Sequence, residues 1–169
     1  MTDISILANL GLSPEQAPEL RSNDRSRLLS FLLRWDYIAD LHACLDAIIP
    51  RNRPLVSLLD LRTRALLAED KPQEALTIMQ ERLRVRKRTS LTSQSLLAQV
   101  YLALEDCAAA QKVAHQAVLD QPDSVMSWTL LGEVELAAGD QQAALAAYRH
   151  LQEHYPYGRA YLQGMVDVY

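Results

Sequence analysis

The second half of the chain repeats itself with a period of 34 residues. When residues 91–124 are laid over residues 125–158, ten positions are identical. The matched pairs are Ser93/Ser127, Leu96/Leu130, Leu97/Leu131, Val100/Val134, Leu102/Leu136, Ala103/Ala137, Asp106/Asp140, Ala109/Ala143, Ala110/Ala144 and Pro122/Pro156. A fixed period of this length is typical of solenoids built from helix pairs, which must stack because no single pair buries its own apolar face.

Composition agrees with a helical protein of about one domain. The chain has 169 residues, of which 49% are hydrophobic, with only five glycines and one phenylalanine. The net charge of −4 gives no general reason to expect a nucleic-acid partner. The charge is uneven, however: residues 1–90 hold 14 Lys/Arg and 12 Asp/Glu, whereas residues 91–169 hold 3 and 9. Such asymmetry can orient a charged partner.

The repeated segment resembles the tetratricopeptide repeat family. Residues 125–158 carry the family's W-x2-L-G…A-x3-F/Y…P pattern as Trp128, Leu131, Gly132, Ala144, Tyr148, Leu151 and Pro156. Gln94 and Glu135 depart from the aromatic residues that are usual at their positions, and Ala114 is small for its position. The resemblance implies an all-α fold, a right-handed α-α superhelix of stacked tetratricopeptide-like helix pairs.

The resemblance extends with lower fidelity over about residues 21–169. We predict an N-terminal cap or arm at residues 1–20 and repeat units at residues 21–54, 55–90, 91–124 and 125–158, with the start of a further unit at residues 159–169. Asp40 stands where alanine is usual, and the turn at Asp70-Lys71-Pro72 reads about one residue longer than the others. We expect Gly132 to allow close helix packing and Gly139 to lie in a turn.

In this family the first helix of each pair, helix A, lines a concave groove that holds a peptide. The resemblance therefore implies a scaffold or adaptor that binds another protein or peptide. The implied groove residues are Arg25, Leu29, Asp60, Arg64, Ser95, Gln99, Thr129, Glu133, Gln163 and Asp167. Chaperone-binding relatives grip a C-terminal carboxylate with a Lys/Asn/Arg clamp, but the clamp positions here hold Ser95, Leu96, Gln99, Thr129, Leu130 and Glu133. If the partner binds through charge, we expect it to carry positive charge near Glu133 and Asp167 and negative charge near Arg25 and Arg64.

A second hypothesis is a self-assembly module. The last segment is apolar on more than one side, so it can pair with another copy as a homodimer or with the rest of a larger multidomain protein. The residues involved are Tyr161, Leu162, Met165, Val166 and Tyr169. A bacterial secretion-type chaperone is a narrower form of the peptide-binding hypothesis and shares only the architecture.

No pattern in the sequence indicates catalysis, a cofactor or a metal. There is no glycine-rich phosphate loop or Gly-x-Ser-x-Gly elbow, and Glu133 and Glu135 point to different sides of a helix. His150 and His154 have a chelating spacing without a third ligand, so two exposed histidines are the simpler interpretation.

The basic stretch Arg82, Arg84, Arg86, Lys87 and Arg88 either complements a helix C-terminus or docks an acidic peptide, with a nucleic-acid backbone as the less favoured ligand. Cys44 and Cys107 lack a metal or redox spacing, and the N-terminus lacks a secretory pattern. We therefore expect a soluble, cytoplasmic protein.

Overall fold

The computed structural model describes residues 5–49, 56–85, 90–155 and residue 164. Over these ranges the regular structure is entirely helical. The elements are α1 (Ile6–Asn9), a 3-10 helix (Pro14–Glu19), α2 (Ser22–Arg34), α3 (Ile38–Ile48), α4 (Val56–Ala68), α5 (Pro72–Val85), α6 (Leu91–Ala103), α7 (Cys107–Asp120), α8 (Val125–Ala137) and α9 (Gln141–His154). The predicted all-α class is confirmed. None of the described helices has the length and apolar character needed to cross a membrane.

The chain divides into two compact units between residues 87 and 88. The N-terminal unit contains the helix pairs α2/α3 and α4/α5, with α3 also packed against α4. The C-terminal unit contains the pairs α6/α7 and α8/α9, in which α8 packs against both α6 and α7. Each unit therefore stacks two consecutive helix pairs, as the repeat period predicts.

All four turns inside the pairs have the same construction. Each is three residues long, and its middle residue is left-handed: φ is 61° at Asp36, 57° at Asp70, 60° at Glu105 and 86° at Gly139. The amide after the middle residue donates to the carbonyl five residues back at 2.9 Å in every turn, as in Tyr37 N to Leu32 O. This is the usual way to satisfy the last carbonyls of a helix. The prediction of a longer turn at Asp70-Lys71-Pro72 is wrong.

The left-handed residues also fix the register of the repeats. Asp36 and Asp70 are 34 residues apart, as are Glu105 and Gly139, so the one extra residue of the chain falls between Asp70 and Glu105. Counted back from these turns, the first two repeats start at residues 22 and 56, one residue later than the sequence predicts. Leu41, and not Asp40, then occupies the small-residue position. The equivalent residues Leu41, Ala75, Ala110 and Ala144 are all fully buried.

Asp40 holds the N-terminal segment against α3. Its Oδ2 accepts hydrogen bonds from the amides of Ile6 (2.8 Å) and Leu7 (3.4 Å), and its Oδ1 accepts one from Ser5 Oγ (2.7 Å). The side chain of Leu7 lies in the same buried cluster as Leu41. The carboxylate thus caps α1, a helix too short to be stable by itself.

In the C-terminal unit, the ring of Tyr148 packs directly against two glycines, Gly132 and Gly164. A Cβ added at Gly132 would lie 2.5 Å from Cε1 of Tyr148, and one added at Gly164 would meet the same ring. Tyr148 is only 1% exposed. Gly132 therefore stands where α8 and α9 approach closely, as predicted.

Candidate functional site

The first helices of the two C-terminal pairs, α6 and α8, each leave one stripe of side chains open. The open positions recur at i, i+3 and i+7, which is one face of a helix. They are Thr92, Ser95 and Gln99 on α6, and Met126, Thr129 and Glu133 on α8. We call these six residues the A-helix surface. The two triplets are 34 residues apart, so the two neighbouring helices present the same face.

Charge on these two helices is confined to α8, where Glu133 and Glu135 point to opposite sides. Glu135 is 3% exposed; its Oε2 accepts a hydrogen bond from Gln111 Nε2 (2.7 Å), and its Oε1 lies 3.0 Å from Nε2 of His115, both residues being on α7. This buried carboxylate therefore joins α8 to the preceding repeat. Glu133 faces outward, so the predicted divergence of the two side chains is confirmed.

Glu133 has an unusual environment for an exposed carboxylate. It makes no hydrogen bond or ion pair with any residue in the described ranges. Although the residue is exposed, partial burial by its neighbours raises the pKa of its carboxyl group. Its charged form is thus less well hydrated than that of an ordinary surface glutamate.

The polar groups of the remaining A-helix surface differ in availability. The hydroxyl of Thr129 donates to the carbonyl of Val125 (2.9 Å), so this residue presents mainly its methyl group. Gln99 is exposed, and its side-chain amide has no hydrogen-bond partner among the described residues. Besides the hydroxyl groups of Thr92 and Ser95, the surface therefore offers the amide of Gln99, the carboxylate of Glu133 and, at Met126, an apolar side chain that is 53% exposed.

Three equivalent positions in the two C-terminal repeats carry different chemistry. In the third repeat, the Asp120 carboxylate accepts hydrogen bonds from Gln94 Nε2 (2.9 Å) and Gln116 Nε2 (2.7 Å). In the fourth repeat the corresponding residues are Trp128, His150 and His154, whose rings stack with centroid separations of 3.8 and 4.0 Å. A hydrogen-bonded network and an aromatic stack thus join the two helices at the same place in successive repeats.

The stack gives the two histidines a structural role in the fourth repeat. Burial lowers the pKa of His150, and the adjacent His154 lowers it further, while Glu153 raises it. The stacked arrangement therefore favours neutral His150. In the described part of the chain, no three His, Cys, Asp or Glu side chains are close enough together to hold a metal ion.

Comparison with known proteins agrees with this geometry. Residues 95–159 match the tetratricopeptide repeat family. Among solved structures, the chain is similar to a thermophilic tetratricopeptide repeat protein from Thermus thermophilus, with a TM-score of 0.73 and 17% identity over 96% of this chain and 84% of that one. It is also similar to a tetratricopeptide repeat protein from Parabacteroides merdae, with a TM-score of 0.68 and 15% identity over 84% of this chain and 56% of that one. The fold is that of tetratricopeptide repeat proteins.

The chain therefore spans little more than half of the Parabacteroides protein. No curated protein matches its sequence.

The tetratricopeptide register brings four predicted groove residues together: Ser95, Gln99, Thr129 and Glu133 all lie on the A-helix surface. The sequence reasoning missed Thr92 and Met126. Both stand at the first position of the same i, i+3, i+7 stripe, so extending the stripe by one turn would have found them.

In the N-terminal unit the first predicted groove pair is wrong in register. Leu29 is 1% exposed and belongs to the core, because the repeat starts one residue later than predicted. Arg25 is half-buried, and its guanidinium lies 3.5 Å from the carbonyl oxygen of Pro18. The corrected register assigns these tetratricopeptide positions to Ser26 and Ser30, both of which are exposed.

The two residues of the second predicted groove pair, Asp60 and Arg64, have different environments. Arg64 is exposed, whereas Asp60 accepts a 2.7 Å hydrogen bond from Nε of Arg82, which is 2% exposed. Arg82 is thus a buried partner of α4 and not a docking residue of the basic stretch. Arg84 is exposed, and residues 86–88 lie outside the described ranges.

Other predicted residues also lie outside the described ranges. They are Gln163 and Asp167 of the groove and Tyr161, Leu162, Met165, Val166 and Tyr169 of the self-association segment.

A polar cleft of about 470 Å³ opens between α3, α4 and α5. Most of its charges are paired with one another, Arg62 with Asp46 and Glu69 with both Lys71 (3.0 Å) and His42 (3.3 Å), while Glu74 also lines it. The hydrogen bond from Lys71 lowers the pKa of Glu69. This internal pairing favours a structural role for the cleft.

Proposed function

We propose that the C-terminal unit is a non-catalytic interaction module that binds a peptide segment of a partner protein along the A-helix surface. The observation that carries this proposal is the pair of equivalent exposed stripes on α6 and α8. Their equivalence means that a partner meets the same geometry on each helix, which suits an extended chain. The proposal is further supported by the tetratricopeptide repeat match, since these repeats generally mediate contacts between proteins.

The chemistry of the surface suits a peptide better than a small molecule. A peptide backbone exposes donors and acceptors at regular intervals, and the free amide of Gln99 can both donate to and accept from it. Small-molecule sites, by contrast, are usually enclosed and mainly apolar. The A-helix surface is an open strip in which four of the six side chains are exposed.

The test is selection from a displayed library of random peptides, followed by titration of the selected peptides. Gln99→Arg places a bulky cation at the C-terminal end of the α6 stripe and should weaken binding of the selected peptides at least about tenfold, a loss of about 1.4 kcal/mol. Gln142→Arg makes the same chemical change at an exposed position of α9 and serves as the matched control. Failure to select any peptide, or equal affinity in both variants, would refute the proposal.

We infer that this interaction takes place in the cytoplasm. Both cysteines are free, and burial, with smaller contributions from Asp40 and Glu15, raises the pKa of the Cys44 thiol to about 11. A buried, protonated thiol of this kind is chemically inert and fits a reducing compartment.

A further inference from the structure

Among the carboxylates of the C-terminal unit within the described ranges, Glu133 combines partial burial with the absence of a hydrogen-bond or ion-pair partner. Asp106 and Asp140 cap helices by accepting from the amides of Ala109 and Ala143, each at 3.0 Å. Asp120 and Glu135 are held by the side chains described above. Glu133, by contrast, lies at the C-terminal end of the α8 stripe with no partner in the described ranges, and partial burial raises its pKa.

Partial burial without a partner makes a carboxylate a good receptor for a cation. The neighbouring side chains have already removed part of its water, so binding a cation displaces less hydration from it. A Lys or Arg side chain would supply charge-assisted hydrogen bonds, which are about twice as strong as neutral ones. The helices α6 and α8 contain no Lys or Arg that could serve this role internally.

A second recognition point lies two turns earlier on the same stripe. Met126 is exposed, and a helix rise of 1.5 Å per residue places it about 10 Å from Glu133 along α8. That distance corresponds to about three residues of an extended peptide. Methionine is a flexible apolar side chain that can adapt to varied apolar partners.

We propose that the A-helix surface selects peptides in which a Lys or Arg residue contacts Glu133 and an apolar residue about three positions away contacts Met126. The excess of acidic residues in 91–169, nine against three basic residues, favours the approach of such a cationic segment. This specificity rests on the proposed function, because it names the partner chemistry of the same surface.

The test compares the peptides that variants select from the displayed library. The wild-type protein should enrich a basic residue about three positions from an apolar one. Glu133→Lys should enrich Asp or Glu in place of the basic residue, and Met126→Ala should lose only the apolar preference. Glu153→Lys makes the same charge change at an exposed position of α9 and should keep the wild-type preference.

Titration of one selected basic peptide gives a quantitative check. Glu133→Gln should weaken binding about tenfold, because the amide can still accept a hydrogen bond but has lost the charge that strengthens it. Wild-type affinity should fall as the pH falls, because protonation removes the charge of Glu133. The fall should begin at a higher pH than for an ordinary glutamate, since burial raises this pKa. Glu133→Gln should remove this pH dependence.

The outcomes separate the two proposals. Enrichment of neutral or acidic peptides that still lose affinity on Gln99→Arg would overturn the specificity and leave the proposed function standing. Unchanged selectivity in Glu133→Lys would also overturn it. If no peptide is selected, both proposals fall.

Discussion

At the scale of single residues, the two glycines of the fourth repeat serve different physical purposes. Gly132 is required by space, because the ring of Tyr148 occupies the volume that a Cβ would need. Gly139 is favoured by backbone conformation: its φ is +86°, and no atom lies within 4 Å of an added Cβ. Asp36, Asp70 and Glu105 adopt the same left-handed turn without being glycine, so the turn tolerates a strained residue whereas the helix contact does not.

Substitution series at these glycines should show the difference. At Gly139, Ala and Leu should destabilise equally, by about 1–2 kcal/mol, because the cost is that of the left-handed conformation. At Gly132, Ala should cost about 1–3 kcal/mol and Leu clearly more, because the cost grows with added volume. Thermal unfolding measures both series.

A double variant provides the control for the Gly132 series. Tyr148→Leu removes the ring that an alanine at position 132 would meet, so the two changes together should cost less than their sum. Additive costs, or a size dependence at Gly139 and not at Gly132, would show that the repeat register is wrong.

At the scale of helices, α1 illustrates an element that depends on another for its existence. It has four residues, and its own N-cap residue, Ser5, makes no side-chain cap hydrogen bond. The cap comes from Asp40 in α3, which accepts a hydrogen bond from the amide of Ile6, 34 residues earlier in the chain. By contrast, α7 and α9 are capped locally by Asp106 and Asp140, the residues directly before them.

Asp40→Ala should therefore release the N-terminal segment. Loss of the carboxylate leaves the buried amide of Leu7 and the amide of Ile6 without their acceptor, at a cost of about 1–3 kcal/mol. Hydrogen exchange at these two amides should accelerate, and unfolding should occur at lower temperature. Asp46→Ala is the control on the same helix, because its exposed ion pair with Arg62 should contribute below about 1 kcal/mol. Unchanged exchange at Ile6 and Leu7 would contradict this role for Asp40.

At the scale of the whole molecule, we expect the residues after the fourth repeat to determine the assembly state. The sequence predicts an apolar surface formed by Tyr161, Leu162, Met165, Val166 and Tyr169, all outside the described ranges. Gly164, which lies among them, is placed against the ring of Tyr148. Self-association through this segment stays a prediction.

We expect the protein to form a dimer through this segment, detectable by light scattering. Burial of several apolar side chains contributes about 1.5–3 kcal/mol each, which exceeds the association cost when enough of them pair. Leu162→Glu combined with Met165→Glu should give a monomer. Leu119→Glu changes another apolar side chain, 75% exposed on α7, and should leave the dimer intact. A monomeric wild-type protein at high concentration would instead indicate that the segment folds back onto the fourth repeat.

The sequence by itself determined the period and the helix pairs, and it located the turns, although it predicted one residue too many for the turn between α4 and α5. These are local properties: apolar spacing along a helix, a left-handed residue after it, and a small residue where helices approach. The resemblance to tetratricopeptide repeats implied Ser95, Gln99, Thr129 and Glu133 as groove residues, and helical spacing brings each pair to one side of its helix.

Only the tertiary structure decided the register of the first repeat and the partners of the polar side chains. The weak pattern around Leu29 fits two registers, and burial selects one of them. Asp40 bonds a residue 34 positions away and Arg82 bonds one 22 positions away, so no local pattern identifies either partner. The hydrogen-bond partner of a polar side chain is whichever group the packed helices bring close to it. It therefore depends on the assembled helices and not on any single segment.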